Sequence, residues 1–454
     1  MNRHLDCYRD NVICIIGMGY VGVTLAVALA DAGLTIVGVE INESILEQLT
    51  LLRPSFFEEN LEEHLHRHLV SGRITVSRTI PRKETISVYI VTVGTPVNQD
   101  KKINLEPIIT VSKQIAEVIK PDDLVILRST VKVGVTRNVV LPILTERHAR
   151  VHVAYCPERT IEGKALAELN SLPQIVSGLN DESLMRASAL FQQLTRTIVP
   201  AESLEAAELA KLVSNTVRDI QFAYSNEFAL ICEKLKINYH DIHRISTLHY
   251  PRCMLSKPGL VGGPCLEKDP YILAESLEST GMQPNIALTS RKMNEDLPRM
   301  TAERISGSMM MLSGGQSVQK PVICVLGLAF KGDPVTDDLR GSMVYPLIRE
   351  LERCFPDVEL RYYDPLVSRS AFMGSGRMRG QWVTSLQQAF EGAHIIIIQT
   401  NHNSFRNMSL RALASTMQQP ALIYDYWSLF ADRKEEVSGL NYCGLGLQME
   451  SECQ

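Results

Sequence analysis

One cysteine of this chain lies in a setting that suits covalent chemistry. Cys265 stands in the run from Gly262 to Asp269, where glycines expose the backbone and a lysine and an aspartate follow within four residues. A nearby cation favours the thiolate, which is the nucleophilic form of cysteine. Cys14 and Cys324, by contrast, lie in apolar runs that predict buried strands. Cys265 is therefore the candidate nucleophile among ten cysteines, and an inert glycine-rich loop is the alternative.

A lysine and an asparagine form a second candidate pair. Lys211 and Asn215 stand four residues apart in a segment with helical composition, so they share one helix face. An ammonium and an amide on one face can stabilise a developing oxyanion. A solvated helix face is the alternative interpretation of the same spacing.

A glycine motif near the start predicts a dinucleotide site. The run Gly17-Met18-Gly19-Tyr20-Val21-Gly22 follows an apolar run and opens a helical one, so its glycines allow a tight turn, close approach of a pyrophosphate and tight helix packing. The amides at a helix N-terminus bind phosphates. Glu40 ends the next predicted strand, where a carboxylate accepts hydrogen bonds from a ribose hydroxyl and repels a 2'-phosphate. The pattern predicts NAD rather than NADP, with a purely structural turn as the alternative.

Polar residues also follow the later strands of this region. Thr95 and the pair Ser129-Thr130 each come after a predicted strand, and Glu158 and Glu162 follow another. Open α/β sheets bind ligands at the carboxyl edge of their strands, which favours a role in binding. Hydroxyls beside turns are also common caps, and a charged loop is the alternative for the two glutamates.

The elements that position these residues begin with an alternation of strands and helices. Segments long enough for crossover helices separate the strands, which predicts a parallel sheet covered on both faces. The predicted strands are Asn11 to Ile16, Leu34 to Glu40, Val88 to Val93, Leu124 to Arg128 and Val151 to Tyr155, with Gly22 to Ala32 as the first helix.

A helical region follows. From Leu204 to Ile237 there is neither Gly nor Pro, which predicts one long helix or two stacked ones. The helical pattern continues to about residue 310, interrupted by the Pro- and Gly-rich stretch from Pro258 to Pro270. An irregular loop inside a helical region indicates a functional site.

The last third of the chain restarts the strand pattern after a linker at Ser313 to Gln319. The predicted fold class is therefore α/β, with two Rossmann-like parallel-sheet domains joined by a central long-helix domain, at residues 1–203, 204–312 and 313–454. The predicted strands of the second sheet are Val322 to Leu326, Glu359 to Tyr363, His394 to Gln399 and Ala421 to Asp425.

Composition limits the classes of partner. With 454 residues, 45% of them hydrophobic and 21% charged, the chain is typical of globular proteins of two to three domains. A net charge of -5 with mixed signs predicts no binding to nucleic acid or to an anionic membrane. The stretch from Val12 to Ala30 resembles a signal or an anchor, but it contains the glycine motif and leads into another strand. The ten cysteines show no metal-ligand pairing such as C-x-x-C, and a chain of this size does not need disulfides, so we expect a reducing compartment and a cytoplasmic protein.

Taken together these motifs resemble the UDP-glucose/GDP-mannose dehydrogenase family of nucleotide-sugar 6-dehydrogenases. The resemblance covers nearly the whole chain in the same order. The matching blocks are Gly17 to Gly22, Gly94 to Pro96, Ser129 to Val131 with Gly134, Pro157-Glu158 with Glu162-Gly163, Glu208 through Lys211 to Asn215, Asn226-Glu227, Gly262 to Asp269, Gly327 to Lys331, and Asp337 to Arg340.

The resemblance implies a four-electron oxidation. A first hydride passes from C6 of the sugar to NAD, and Cys265 captures the aldehyde as a thiohemiacetal. A second hydride leaves to a second NAD, and hydrolysis of the thioester gives the uronic acid without a metal. Lys211 and Asn215 hold the C6 oxygen and its oxyanion, and Asp269 positions a water or relays a proton.

The same resemblance implies further contacts. Thr130 and Glu158 match positions near the hydrolytic water and the cofactor, and Thr95 lies with the cofactor residues. The implied substrate-binding residues are Glu162, Arg252, Gly262, Lys331 and Arg340. Of these, Arg252 matches an arginine that reaches across a dimer interface, so a homodimer or a higher homo-oligomer is expected.

Three departures from the family pattern are visible. Glu40 stands where Asp is usual, although it should still serve the ribose. The segment from Leu51 to Leu61 lacks the usual glycines, so its turn is uncertain, and Gly341 stands where Glu is common.

The sugar is the open question. The loop residues after Pro157 and the Gly-Gly-Pro-Cys-Leu form of the cysteine loop favour the branch that acts on UDP-N-acetyl-D-mannosamine. UDP-N-acetylglucosamine, UDP-glucose and GDP-mannose remain alternatives. A two-electron hydroxyacid dehydrogenase needs no cysteine loop, and a non-catalytic NAD-binding homologue needs none of Lys211, Asn215, Cys265 and Asp269.

Overall fold

The computed structural model describes residues 12–146, 150–374 and 378–448. Two compact units divide the chain: the first comprises the described residues up to Asn215 together with Lys268–Pro284, and the second comprises Thr216–Glu267 and the described residues from Asn285 onward. The predicted domain boundaries at residues 203 and 312 stay a prediction.

An eight-stranded sheet organises the described part of the first unit, in the order β3-β2-β1-β4-β5-β6-β7-β8. Adjacent strands are parallel except β6 and β7, where Ala154 lies opposite Gly178 in an antiparallel pair. The strands that the sequence predicted in this sheet all pair in parallel with one another, which confirms the predicted parallel sheet, and the antiparallel pair is made by β7, a strand that was not predicted. The strands are β1 (Val12–Ile16), β2 (Thr35–Val39), β3 (Ile74–Ser77), β4 (Val88–Val91), β5 (Leu124–Leu127), β6 (His152–Tyr155), β7 (Gln174–Gly178) and β8 (Ile198–Pro200).

Helices cover both faces of this sheet. Ile13 and Ile15 of β1 face a core that α1, α3 and α7 close, whereas Cys14 and Ile16 face a core closed by α4, α5 and the start of α8. Burial on both faces explains the continuous apolar runs in the sequence. The helices are α1 (Tyr20–Asp31), α2 (Glu43–Thr50), α3 (Leu61–Val70), α4 (Glu106–Ala116), α5 (Leu141–Thr145), α6 (Ala165–Ser171), α7 (Asp181–Phe191) and α8 (Leu204–Leu235), with a π-helical turn at Thr136–Val140.

The predicted strands of the first sheet are confirmed to within two residues at each end, although the predicted start at Asn11 lies outside the described residues. Strands β3, β7 and β8 were not predicted. The segment from Leu51 to Leu61, which lacks the usual glycines, still forms turns. Leu52 and Asn60 adopt the positive φ angles of 62° and 63° that glycine would otherwise supply. Asn60 thereby precedes α3 in the left-handed region that asparagine tolerates better than most residues.

Helix α8 is a single helix of 32 residues, as one of the two predicted alternatives had it. Its faces are reversed relative to an ordinary surface helix. At about 100° per residue, a buried polar set and an exposed apolar set lie on roughly opposite sides. The buried polar set comprises Glu208, Lys211, Asn215, Asp219 and Asn226, with Thr216 and Ser225 also buried, and the exposed apolar side chains are Leu209, Val213, Val217, Tyr224, Ile231 and Leu235.

A six-stranded sheet organises the described part of the second unit, in the order β11-β10-β9-β12-β13-β14, and its pairs are parallel. Four of its strands match the predicted ones closely, while the short β11 and β14 were not predicted. The strands are β9 (Val322–Leu326), β10 (Glu359–Tyr363), β11 (Gln381–Trp382), β12 (Ile395–Ile398), β13 (Leu422–Asp425) and β14 (Tyr442–Gly444).

The remaining helices confirm the predicted helical region and the covered second sheet. One face of the sheet packs on α9, α11 and α12, and the other packs on α14, α15 and α16. By its contacts α10 belongs to the first unit. These helices are α9 (Tyr239–Thr247), α10 (Asp269–Ser276), α11 (Asn285–Leu312), α12 (Val344–Cys354), α13 (Arg369–Met373), α14 (Leu386–Phe390), α15 (Asn403–Arg406), α16 (Leu410–Ala414) and α17 (Lys434–Val437), with a 3-10 turn at Glu278–Thr280.

The same type of turn follows the first strand of each sheet. Gly17 after β1 has a φ of 97°, and the next amide, that of Met18, donates to the Glu40 carboxylate at 2.8 Å. Gly327 after β9 has a φ of 85°, and the amide of Leu328 donates to the Asp364 carboxylate at 2.7 Å. In both sheets a carboxylate at the end of the second strand thus fixes the backbone that leaves the first.

Among the described residues, no helix has both the length and the apolar character that crossing a membrane requires.

Candidate active site

Five predicted site residues lie at one edge of the first sheet. Gly17, Glu40, Thr95, Thr130 and Glu158 follow the carboxyl ends of β1, β2, β4, β5 and β6, within four residues of each strand. The chain order reverses between the neighbours β1 and β4. Such a switch point opens the crevice in which α/β sheets bind their ligands. The sequence therefore predicted the location of these residues correctly.

The glycine motif has the geometry that a pyrophosphate requires. A Cβ atom on Gly22 would overlap the carbonyl oxygen of Gly17, so only glycine lets α1 pack against this turn. A Cβ on Gly19 would meet nothing within 4 Å, so the backbone there borders open space. Gly19 precedes α1 without a side-chain cap, and Val21 lies in the first turn. These residues fit a dinucleotide phosphate at the start of α1.

Glu40 has a structural role as well as the predicted one. The side chain is 8% exposed, and its carboxylate accepts hydrogen bonds from the amides of Met18, Ile41 and Asn42. A carboxylate fixed in this way keeps lone pairs for a ribose hydroxyl. It also places negative charge where a 2'-phosphate would lie, which favours NAD.

Tyr20 contacts an unexpected partner. Its hydroxyl donates to Glu58, a 5% exposed residue, and the Phe56 ring lies 4.7 Å from the Tyr20 ring. The Glu58 carboxylate also accepts from the amides of Gly163 at 2.7 Å and Ala165 at 2.6 Å. Burial, assisted by Glu58, raises the pKa of Tyr20, so the hydroxyl stays protonated. Glu58 therefore joins the start of α1 to the loop that carries Glu162.

Sequence reasoning missed Glu58. It lies among several glutamates in a segment without a clear period, so its type and position gave no signal that separates it from a solvated acid. Its burial depends on partners about 40 and 105 residues away in the chain.

Hydroxyl groups that follow the C-terminal ends of β4 and β5 form hydrogen bonds between the two neighbouring segments. Thr95 donates to the carbonyl of Thr130 at 2.6 Å, and Ser129 donates to the carbonyl of Val93 at 2.7 Å. These bonds support the structural interpretation of Thr95 and Ser129. Each hydroxyl oxygen still has capacity to accept a further bond.

Glu158 is held as a fixed anion. One oxygen binds the Arg128 guanidinium, and the other accepts from the amides of Arg159 and Thr160 at 2.7 and 2.8 Å. Burial raises the pKa of Glu158, but Arg128, the Thr160 amide and Lys211 outweigh burial and bring the pKa below its ordinary value. The carboxylate is therefore ionised and already satisfied, which suits fixed electrostatic support better than proton transfer. Arg128 was not identified from the sequence.

Lys211, Asn215 and Asp269 are buried together in the first unit. The Asn215 amide donates to Asp269 at 2.6 Å, and Lys268 lies 3.1 Å from the other carboxylate oxygen. Lys211 and Asn215 are 6% and 7% exposed, so the alternative of a solvated helix face is excluded. Asp269 is the first residue of α10, where the helix dipole favours a negative charge.

The cysteine loop of the second unit is packed through glycines. The amide of Gly263 donates to the carbonyl of Gly341 at 2.8 Å, and a Cβ on Gly262 would overlap that carbonyl oxygen. Gly341 has a φ of 63°, and a Cβ there would lie 2.5 Å from the Glu267 carboxylate. The residue that departs from the family pattern is thus the one that leaves space for Glu267. Cys265 is exposed in this loop.

A buried arginine contacts the same loop. Arg291 of α11 donates to the carbonyls of Leu266 and Val261, both at 3.1 Å, and to the Asp219 carboxylate at 2.9 Å. Asn226 donates to the carbonyl of Gly259 and accepts from its amide. Nothing in the spacing of the sequence separated Arg291 from the other charged residues of this helical region.

The remaining predicted substrate contacts lie in the second unit. Lys331 lies 5.5 Å from the ring centroid of Phe330, whose ring packs against Gly263. Arg340 forms an ion pair with Asp338, and the exposed Arg252 lies 5.0 Å from the ring of Tyr250. The structure therefore places Lys331 beside the cysteine loop and pairs Arg340 with a neighbouring acid. Among the described residues, no group of His, Cys, Asp and Glu side chains forms a metal-binding cluster.

Comparison with known protein families decides the family. The NAD binding domain of the UDP-glucose/GDP-mannose dehydrogenase family matches residues 11–195, its central domain matches residues 205–296, and its UDP binding domain matches residues 324–432. This chain belongs to the UDP-glucose/GDP-mannose dehydrogenase family. Like the family, it is an NAD-dependent nucleotide-sugar dehydrogenase, so the predicted cofactor and the general substrate class are confirmed.

Curated members of the UDP-glucose/GDP-mannose dehydrogenase family match the chain over nearly its full length. The UDP-N-acetyl-D-mannosamine dehydrogenase of Pyrococcus horikoshii is 29% identical and covers 90% of this chain and 94% of its own. The UDP-N-acetyl-D-glucosamine 6-dehydrogenase of Pseudomonas aeruginosa is 28% identical and covers 94% and 99%. A solved structure of the Pyrococcus horikoshii UDP-D-ManNAc dehydrogenase has a TM-score of 0.84, 27% identity, and covers 96% and 99%. The predicted fold class is confirmed.

Two alanine substitutions in the glycine motif should separate stability from cofactor binding. Gly19→Ala adds a methyl group to open space, so we expect a stability change within about 0.5 kcal/mol but a loss of NAD affinity of about tenfold or more, or about 1.4 kcal/mol. Gly22→Ala overlaps backbone and should cost about 1–3 kcal/mol of stability. Thermal unfolding and calorimetric titration with NAD measure both. Unchanged NAD affinity in Gly19→Ala would contradict the phosphate site.

Replacement of Glu58 should loosen the start of α1. Glu58→Gln removes the charge that accepts three hydrogen bonds and should destabilise the protein by about 1–3 kcal/mol, with weaker NAD binding because Tyr20 begins α1. Glu62→Gln is the matched control, because Glu62 is an exposed glutamate of α3 whose ion pair with Arg53 is also exposed. Thermal unfolding and calorimetric titration with NAD measure both effects. Equal stability and equal NAD affinity of the two variants would show that Glu58 does not position the start of α1.

Proposed function

We propose that this protein oxidises the C6 hydroxyl of UDP-N-acetyl-D-mannosamine to the uronic acid through a thioester on Cys265. The names of relatives at 27–29% identity support this sugar. UDP-N-acetyl-D-glucosamine, UDP-glucose and GDP-mannose remain alternatives, the first supported by a relative of similar identity. The observation that carries the proposed chemistry is the buried Asn215–Asp269 contact, because Asp269 stands four residues beyond the exposed Cys265 in the chain.

The proposed reaction consists of two oxidations separated by a covalent capture. NAD, when bound, accepts one hydride from C6 in each oxidation, so two NAD are consumed per sugar. The Cys265 sulfur adds to the aldehyde carbon and forms a thiohemiacetal, whose oxidation gives a thioester. Water then adds to the thioester carbonyl, which releases the carboxylic acid and restores the thiol.

Residues of the first unit would stabilise the charge that develops on the C6 oxygen. Lys211 supplies an ammonium with little exposure to water, where donors to an oxyanion typically contribute a few kcal/mol. The bond from Asn215 to Asp269 fixes the orientation of the amide and leaves its second N–H available. Asp269 would orient the hydrolytic water or accept its proton. Thr130 and Glu158 would act at the cofactor edge, with Glu158 as a fixed charge.

The nucleotide end of the substrate would lie in the second unit. Lys331 lies beside the cysteine loop, so we propose that it contacts a phosphate or the sugar, and Arg340 would exchange its pairing with Asp338 for the substrate. Gly262 would let the sugar approach the backbone. Glu162 and Arg252 complete the proposed contacts, and we propose the cytoplasm as the location.

Reaction stoichiometry tests this function. Purified protein with NAD and UDP-N-acetyl-D-mannosamine should release two NADH per sugar and form the acid, and UDP-N-acetylglucosamine, UDP-glucose and GDP-mannose should react more slowly. Cys265→Ser should abolish acid formation while NAD affinity stays within about twofold, since Cys265 is not among the proposed cofactor contacts. Absorbance at the NADH band and chromatography of the sugar products measure both results.

The outcomes separate the competing functions. One NADH per substrate would favour a two-electron hydroxyacid dehydrogenase, and no NADH with any of the four sugars would favour a non-catalytic NAD-binding homologue or an untested sugar. Acid formation at the normal rate by Cys265→Ser would contradict the thioester.

We also propose that the protein is a homodimer that covers the exposed apolar face of α8. A run of six apolar side chains on one helix face is unusual on a monomer surface. A second copy of the same helix offers a self-complementary apolar surface, as two-fold interfaces require.

A charge in the middle of this face should disrupt the dimer. Val217→Glu should shift the protein toward the monomer, because it would bury an unpaired carboxylate at the interface. Met185→Glu is the control, because Met185 is an exposed apolar side chain on α7, 64% exposed against 45% for Val217. Light scattering coupled to size-exclusion chromatography gives the mass. A native protein that runs as a monomer, or a Val217→Glu dimer of native affinity, would refute the proposed interface.

A further inference from the structure

We propose that Arg291 is a positioning residue that fixes the Cys265 loop for capture of the aldehyde. This proposal rests on the proposed function. It is based on the hydrogen bonds that Arg291 donates on either side of the cysteine: to the carbonyl of Val261 four residues before it and to that of Leu266 immediately after it.

The loop needs such support because it lacks regular secondary structure. Between the end of α9 and the start of α10, the chain from Leu248 to Lys268 forms neither helix nor strand. Its carbonyl groups therefore have no ladder partners, so those that are buried need partners from local turns or from side chains. Arg291 satisfies two, and Asn226 satisfies both polar backbone groups of Gly259.

The charge of Arg291 is itself held in place. Arg291 and Asp219 are both fully buried and lie 2.9 Å apart. Asn294 donates to the Asp219 carboxylate at 2.9 Å and accepts from Asn226 at 3.0 Å, so the four residues form one network between α8 and α11. A buried ion pair seldom adds net stability, whereas it can fix one conformation. The network therefore connects two rigid helices to the backbone next to the thiol.

Only arginine can make all three contacts from one side chain. Its planar guanidinium presents five donors in a fixed fork, while lysine presents one compact ammonium. Arg291→Lys retains the charge that Asp219 requires but cannot bridge two carbonyls. The substitution therefore loosens the loop without leaving a buried carboxylate unpaired.

The chain offers a matched control in the same unit. Arg304 of α11 forms an ion pair with Glu233 of α8 and donates to two backbone carbonyls, those of Gly444 and Leu447, both at 3.0 Å. Arg304 therefore combines a helix-to-helix ion pair with two bonds to backbone carbonyls, as Arg291 does. The backbone that Arg304 binds lies near residue 445 and not around Cys265. Arg304→Lys thus measures what the loss of an arginine bridge between helix and loop does in general.

The test separates the two oxidation steps. The first hydride transfer does not use the thiol, whereas the second follows capture by Cys265, so a displaced thiol should slow only the second step. Single turnovers are run with the sugar, NAD and an aminooxy reagent that traps free aldehyde. Arg291→Lys should slow the second step about tenfold or more, since small misplacements of a reacting group have effects of this size. Trapped aldehyde should accumulate, and NADH per sugar should fall from two toward one.

Native protein and Arg304→Lys should give acid and two NADH under the same conditions. If Arg291→Lys slows both steps equally, or if Arg304→Lys accumulates the same aldehyde, Arg291 acts only through general stability and the proposal is wrong. Failure of the native protein to give two NADH would instead refute the proposed function.

A second variant covers the case in which Arg291→Lys does not fold. Asn226→Ala releases the loop at Gly259 and leaves the Arg291–Asp219 pair in place. It should accumulate aldehyde to a smaller extent. Complete conversion to acid by a folded Asn226→Ala would contradict the idea that this network positions the thiol.

Discussion

The structure depends on a helix that buries its polar side. Three buried polar residues of α8 bind three different segments: Glu208 accepts from the amides of Gly134 and Thr136, Asn215 binds Asp269, and Asn226 binds Gly259. An unpaired buried polar group costs about 1–3 kcal/mol. The helix therefore fixes loops far apart in sequence, because these buried side chains take their hydrogen-bond partners from those loops.

This reversal explains where sequence reasoning succeeded and where it failed. The absence of Gly and Pro predicted α8, and the spacing of Lys211 and Asn215 placed them on one face. Their burial was not predictable from that pattern, because an apolar stripe such as Val217 and Tyr224 normally marks the buried side of a helix, whereas here it is exposed. The usual rule would assign the two faces the wrong way round.

The edge of the first sheet was more predictable than the supports around it. Apolar runs end one to four residues before Gly17, Glu40 and Thr95, so periodicity alone located those residues. Glu58 acts through partners about 40 and 105 residues away in the chain. Arg291 acts through partners 25 and 72 residues away. Local composition carries no information about such contacts, which is why the supporting residues required the structure.

The turns after Gly17 and after Gly327 have the same backbone geometry but different electrostatic surroundings. After Gly17 the chain enters α1 at Tyr20, so a phosphate there meets backbone amides whose dipoles are fixed. After Gly327 no regular helix begins until Val344, so a phosphate near the second turn would rely on side-chain cations such as Lys331. Dissolved ions screen exposed charges within about 10 Å at 0.1 M salt. Higher ionic strength should therefore reduce the affinity for the nucleotide sugar more than the affinity for the dinucleotide.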